Sequence, residues 1–173
     1  MASAREPKAL SKAGRARVLR IAREHKALAP ALKGRARPVV IASYPEAREG
    51  PEGQALLGVY DYERDRTLVA TVDAERGRVL SVDEAPVQFQ LSEEEREEAA
   101  ALAAADERVK RFLRRRPMNP LTRLYFPPGG GPHRHAIVFL RPNRSERAYA
   151  VVDLSDERVV DVLSREQFTG EEG

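Results

Sequence analysis

Residues recur at three- and four-residue steps in two stretches of the chain, and apolar and polar positions alternate over most of the rest. In the first stretch Gly14, Val18, Ile21, His25, Leu28 and Leu32 fall on one helical stripe. Ser11 is placed to cap a helix over residues 11–29, and Pro30 to end or kink it near Ala29. The second helix is expected over residues 92–114, where Ser92 and Glu95 have the spacing of a capping box. Glu93, Glu94, Glu95, Glu97 and Glu98 crowd its start, while Lys110, Arg111, Arg114, Arg115 and Arg116 crowd its end. The helix dipole favours that arrangement, so the acidic run reads as a helix start rather than a metal site.

Short alternating runs follow each helix. After the first they cover residues 38–44, 55–60, 67–72 and 78–82, and after the second 121–126, 135–140, 148–152 and 158–162. Polar turns separate them at 61–66, 73–77, 143–146 and 155–157. This pattern predicts two antiparallel meanders, each needing a cover for its apolar face, and one amphipathic helix per meander supplies it.

The two halves also match as sequence. Residues 10–32 align without gaps to 91–113, and 67–80 align to 147–160, so that Val72-Asp73 sits opposite Val152-Asp153. The offset is 81 in the first match and 80 in the second. Two matches in the same order at nearly equal spacing mark an internal repeat. The expected fold class is therefore α+β, with a helix on a four-stranded antiparallel sheet present twice, over residues 8–90 and 91–168. The two lobes are expected to superpose.

The segment Leu91-Ser92-Glu93-Glu94-Glu95, the Ala-rich run around Ala103 and the Ala105-Asp106-Glu107-Arg108-Val109 run resemble the opening of the second small N-terminal domain of copper amine oxidases. The run from Ala148 to Leu154 with Arg158-Val159-Val160 resembles that family's strand–turn–strand, as do residues 68–80. The resemblance covers roughly residues 10–165 and implies two tandem cystatin-like domains. It carries over no catalytic residue. The family's topaquinone arises from a Tyr in an Asn-Tyr-Asp/Glu motif, its copper is held by three His, and both lie in a large C-terminal domain. No Asn-Tyr pair occurs in this chain, and the sequence ends at Gly173 before such a domain. Neither amine oxidase activity nor stoichiometric copper is expected.

Composition narrows the chemistry further. There is no Cys, which excludes disulfides, thiolate nucleophiles and thiolate metal sites, and only three His are present. No apolar run is long enough to span a membrane, and the N-terminus lacks the apolar core of a secretory signal, so a cytoplasmic protein is expected. The net charge of +3 conceals an asymmetry: residues 1–38 carry 11 Lys/Arg against two acids, whereas residues 39–173 carry 19 against 25. Within the basic part, Lys12, Arg15, Arg20, Arg23 and Lys26 fall opposite the apolar stripe of the first helix. They form a solvated outer face, a partner for the chain's own acidic body, or a site for phosphates. No aromatic residue interleaves with them, which argues against stacking on single strands.

Three other motifs carry little chemistry. His133 and His135 are two apart in an extended segment and face the same way, but two ligands are too few for a closed metal site, and His25 is expected on the inner stripe of the first helix. Residues 127–132 are rich in Pro and Gly but are followed by a strand, so they read as a hairpin connection and not a phosphate loop. Asp73, Glu75, Asp153 and Asp156 lie in turns, where Asp bonds nearby N–H groups, and nothing in the sequence marks a carboxylate as buried. No catalytic residue, cofactor or metal is expected. The sequence predicts a non-catalytic interaction or regulatory module with a protein partner, whose open sheet edges admit an added strand or a homodimer. The alternative is binding of nucleic acid or another anion through the basic helix.

Overall fold

Ser11 Oγ accepts the N–H of Gly14 at 3.1 Å, and from this cap the first helix, α1, runs over Lys12–Glu24. The computed structural model describes residues 11–33, 37–41, 54–114, 120–140 and 148–169. The last residues of the first expected strand, the turn at 143–146, and Arg115 and Arg116 lie outside these. The chain divides into two compact units, Met1–Phe89 and Gln90–Gly173. It is a mixed α+β protein with two antiparallel sheets. Among the described residues no helix is long and apolar enough to cross a membrane.

In the first unit α1 stops before Pro30. His25 turns to extended geometry, its carbonyl accepts from Leu28 and Ala29, and its Nδ1 accepts the Ala27 N–H at 3.4 Å. A short second helix, α2 (Ala29–Lys33), then holds Pro30 in its first turn, where a missing N–H costs nothing. The expected single helix is therefore a helix, a turn and a short helix. His25 is a half-exposed cap rather than a core residue. Strands β1 (Arg37–Ile41), β2 (Gln54–Asp61), β3 (Arg66–Asp73) and β4 (Arg78–Ala85) pair in that order. Val18, Ile21, Ala22, Leu28 and Ala31 pack on Ala55, Leu57 and Val59 of β2 and on Leu68, Ala70 and Val72 of β3.

The second unit opens with the capping box. Ser92 Oγ accepts from Glu95 N at 3.1 Å, and Glu95 Oε2 accepts from Ser92 N at 2.7 Å. Helix α3 (Glu93–Ala105) ends at Asp106, which starts α4 (Glu107–Leu113) by accepting from the N–H groups of Arg108 and Val109. The expected helix over 92–114 thus breaks at Asp106, the position that the 81-residue offset pairs with His25. A side chain able to accept two orphan N–H groups makes the break favourable. Strands β5 (Leu121–Tyr125), β6 (His135–Leu140), β7 (Ala148–Asp153) and β8 (Arg158–Ser164) pair in order, and a short helix, α5 (Arg165–Thr169), follows.

Strand alternation sorts the second sheet into two faces. Ala136 opposite Val152, Val138 opposite Ala150 and Leu140 opposite Ala148 form the buried face on the helix side. The other face carries His135 opposite Asp153, Ile137 opposite Val151 and Phe139 opposite Tyr149. That second face is also apolar along most of its length. Phe168 of α5 stacks on Tyr149 with ring centroids 4.3 Å apart, and Phe139 meets Tyr149 edge-on.

The sheets share a further irregularity. The register of β3 with β4 shifts between Thr71 and Val72, and that of β7 with β8 between Val151 and Val152. Each shift leaves one residue of the outer strand unopposed, Leu80 in β4 and Val160 in β8. Such bulges twist an edge and re-aim the extra side chain, and both residues are exposed.

Candidate functional site

Lys12, Arg15, Arg20 and Arg23 are all exposed on α1, and Lys26 is exposed in the turn after it. Val18, Ile21 and Ala22 are buried; Lys12, Arg20 and Arg23 face away from them, and Arg15, seven residues before Ala22, borders the buried stripe. α1 has no acid in its first turn, where the dipole favours one, and Lys12 and Arg15 stand there instead. The helix end is therefore positive by backbone and side chain together. α3 is the reverse, with Glu93, Glu94 and Glu95 in its first turn. One neighbouring cation of α1 is engaged within its own unit: Arg17 Nη2 donates to the Glu75 carbonyl at 3.2 Å.

A second constellation lies on the β6–β7 side of the second sheet. Residues His133 and His135 stack with ring centroids 6.3 Å apart, as their two-residue spacing predicts. The register places Asp153 directly across from His135, and the β7–β8 turn folds Asp156 back toward them. His133 Nδ1 lies 2.7 Å from Asp153 Oδ2 and 4.0 Å from Asp156 Oδ2, and His135 Nε2 lies 3.7 Å from Asp153 Oδ2. The ligating atoms of His133, Asp153 and Asp156 all fall within 4.8 Å of one another. Asp153 is 4% exposed, and its Oδ1 accepts the N–H groups of Ser155 and Asp156. Burial pushes this carboxyl upward, but the hydrogen bond from His133, the Asp156 N–H and the charges of both imidazoles pull harder. Its pKa ends below the ordinary Asp value.

Between the two imidazoles, Arg134 points to the other side of the sheet. Its Nε lies 2.6 Å from Glu95 Oε1, its Nη2 lies 3.0 Å from Oε2, and the same Nη2 donates to the Gln90 carbonyl. Both side chains are essentially inaccessible. Asp61, Asp73, Glu95 and Asp153 are thus all buried, although nothing in the sequence marks a carboxylate as buried. The turn Asp residues fold under the N–H groups they cap, and Glu95 is drawn inward by Arg134.

The Asp pair shows how the units differ. Asp73, opposite Gln54, accepts from Arg76 N, but its Oδ2 has no hydrogen-bond partner among the described residues. Asp153 stands at the matching place with two imidazoles beside it. Residues 127–132 form a turn closed by Gly130 N to the Pro127 carbonyl at 3.1 Å, with three glycines at positive φ and β6 following, as expected of a hairpin connection.

The edge strand β5 is the remaining feature of note. Its pairing with β6 is regular throughout, in contrast to the bulged β8 edge. Leu121 at its start and Phe126 just after its end are exposed, the latter by 66%. A concavity of about 390 Å³ runs between β5 and α3, lined by Glu93, Arg96, Glu97, Leu121 and Arg123 among others. No family model matches this chain, and no curated protein matches it.

Proposed function

We propose that the chain is a non-catalytic interaction module built from two tandem cystatin-like units, and that it binds a protein partner. The observation that carries this reading is the β5 edge. A regular, unbulged edge offers a row of backbone donors and acceptors to an extended segment, and Leu121 and Phe126 give that segment apolar contacts at either end. The bulged β4 and β8 edges, with Arg78, Asp83, Glu84, Arg158 and Asp161 along them, are guarded against the same pairing. The repeat and the resemblance to the N-terminal domains of copper amine oxidases support the tandem cystatin-like arrangement, and that family's catalytic motif has no counterpart in this sequence. A homodimer through β5 is the self-associating form of the same contact.

A photo-crosslinking residue at Leu121 tests the reading. A captured protein, purified and titrated against the full chain, is expected to bind at micromolar or tighter concentration and to slow amide exchange along β5. Protection elsewhere, with β5 amides unchanged both on titration and on self-association, overturns it.

The basic face of α1 favours a second reading, binding of a polyanion, because Lys12 and Arg15 stand against the helix dipole rather than with it. Neutralising phosphates releases counterions, so such binding falls steeply with salt. Weak binding of random-sequence DNA and RNA at physiological salt is expected. Micromolar affinity lost in Arg15→Ala, Arg20→Ala and Arg23→Ala would promote this reading over the first.

A further inference from the structure

We propose that His133, His135, Asp153 and Asp156 form a site for a zinc-class divalent cation. The donor set is two imidazoles and two carboxylates, the chemistry that suits zinc and its borderline neighbours rather than magnesium or calcium. The ligand atoms of a tetrahedral site stand about 3.3 Å apart, given metal–ligand distances near 2.0–2.2 Å. The observed separations of 2.7, 3.7 and 4.0 Å bracket that value. The ligating atoms of His133, Asp153 and Asp156 lie within 4.8 Å of one another, and His135 Nε2 meets this group at Asp153 Oδ2.

His135 is held in a fixed orientation by its own neighbour. Its Nδ1 lies 3.1 Å from the His133 carbonyl oxygen, which only accepts, so Nδ1 carries the hydrogen. The other ring nitrogen, Nε2, faces Asp153 Oδ2 at 3.7 Å. Metal-bound imidazoles are commonly oriented in this way, by donating their other N–H to a backbone carbonyl. On the other side of Asp153, the short contact to His133 Nδ1 holds a proton where the cation would sit, and metal binding displaces it.

The surroundings agree. Asp153 is fixed by two backbone N–H groups on Oδ1, leaving Oδ2 aimed at the imidazoles. Arg134, the nearest cation in sequence, is occupied by Glu95 on the opposite side. Arg158 pairs with Asp156 at 3.2 Å, but both are exposed, and such a pair holds its place weakly. His133 precedes β6 and His135 begins it, while Asp153 ends β7 and Asp156 lies in the turn after it, so the cation would tie together the ends of two paired strands. In the first unit Gln54 and Asp73 occupy the positions of His135 and Asp153, and no imidazole is supplied.

Zinc alone, titrated into the full chain without an affinity tag, tests the proposal. One equivalent is expected to bind at micromolar concentration or tighter and to raise the melting temperature of the second unit. His133→Gln and His135→Gln are each expected to weaken binding at least about tenfold, and Asp156→Asn, at an exposed position, less. His25→Gln serves as the control and should bind as the wild type does. Binding that is equal in His133→Gln, His135→Gln and the wild type overturns the site, as does the absence of saturable binding below millimolar zinc. Displacement of zinc by equimolar magnesium or calcium overturns its assigned chemistry.

Discussion

Arg134 and Glu95 form a bidentate ion pair inside the second unit, 2.6 and 3.0 Å between heavy atoms, with side chains 2% and 0% exposed. Glu95 also closes the capping box of α3, so one carboxylate fixes both the helix start and the approach to β6. The first unit has Gly14 at the position of Glu95, and Gly53 directly precedes Gln54 as Arg134 precedes His135. Both halves of the pair are absent together from that copy.

Removing one partner alone leaves a buried charge without compensation. Glu95→Ala is expected to destabilise the second unit by about 3–5 kcal/mol, read from denaturant unfolding. Glu95→Leu combined with Arg134→Met should recover most of that loss, because the desolvation cost of both charges disappears with them. A double variant as unstable as the single one would show that the pair is needed for folding rather than merely needing to be matched.

Gly58 and Phe89 make a comparable test in the first unit. A Cβ placed on Gly58 would lie 2.1 Å from Phe89 Cδ2, so the ring rests directly against the strand backbone. Gly58→Ala is expected to cost about 1–3 kcal/mol through overpacking. In Phe89→Ala the same substitution should cost much less, and the coupling energy of that cycle is the measurement. The equivalent place in the second unit holds Phe139, which lies edge-on to Tyr149, and Tyr149 in turn stacks with Phe168.

The helix starts and strand runs were legible because they rest on local chemistry, namely Ser11 and Ser92 as caps and period-two alternation afterwards. The helix breaks were less so. Pro30 drew attention as the breaker, yet His25 and Asp106 end the helices, because a side chain that can accept backbone N–H groups is as effective as a ring that lacks one. Glu95 is masked in the sequence by the four other acids around it, Glu93, Glu94, Glu97 and Glu98. Carrying the stripe Gly14–Val18–Ala22 across the repeat would have placed Glu95, Ala99 and Ala103 on the buried side, where they lie. The His–Asp cluster depends on strand register, which brings Asp153 opposite His135 across a segment no local pattern resolves. Counting His alone missed both carboxylates.

Asp106 should behave as a measurable cap. Its carboxylate accepts from Arg108 N and Val109 N and also grips the Arg108 guanidinium at 2.9 and 3.1 Å. Asp106→Ala is expected to cost about 1 kcal/mol, and Asp106→Asn less, since the amide oxygen retains the capping role. Circular dichroism with thermal unfolding would detect the difference, and equal losses would assign the effect to the Arg108 contact instead.

The acid limb of stability should trace to Asp153. Its carboxyl is buried, which opposes ionisation, but His133, the Asp156 N–H and His135 favour the charged form more strongly, and the net pKa lies below the ordinary 3.8. A depressed carboxylate contributes stability that is present above its unfolded-state pKa and is lost as pH falls through the folded value. The second unit should therefore lose stability below about pH 4 in metal-free buffer. Asp153→Asn keeps an oxygen for the Ser155 and Asp156 N–H groups but has no charge to titrate. It should be less stable than the wild type at pH 7, and the gap should narrow progressively as the wild-type carboxylate takes up its proton. Unfolding free energies of both proteins at closely spaced pH values measure that gap directly. Parallel curves down to pH 2 would remove Asp153 from the acid limb and leave its role to the turn it caps.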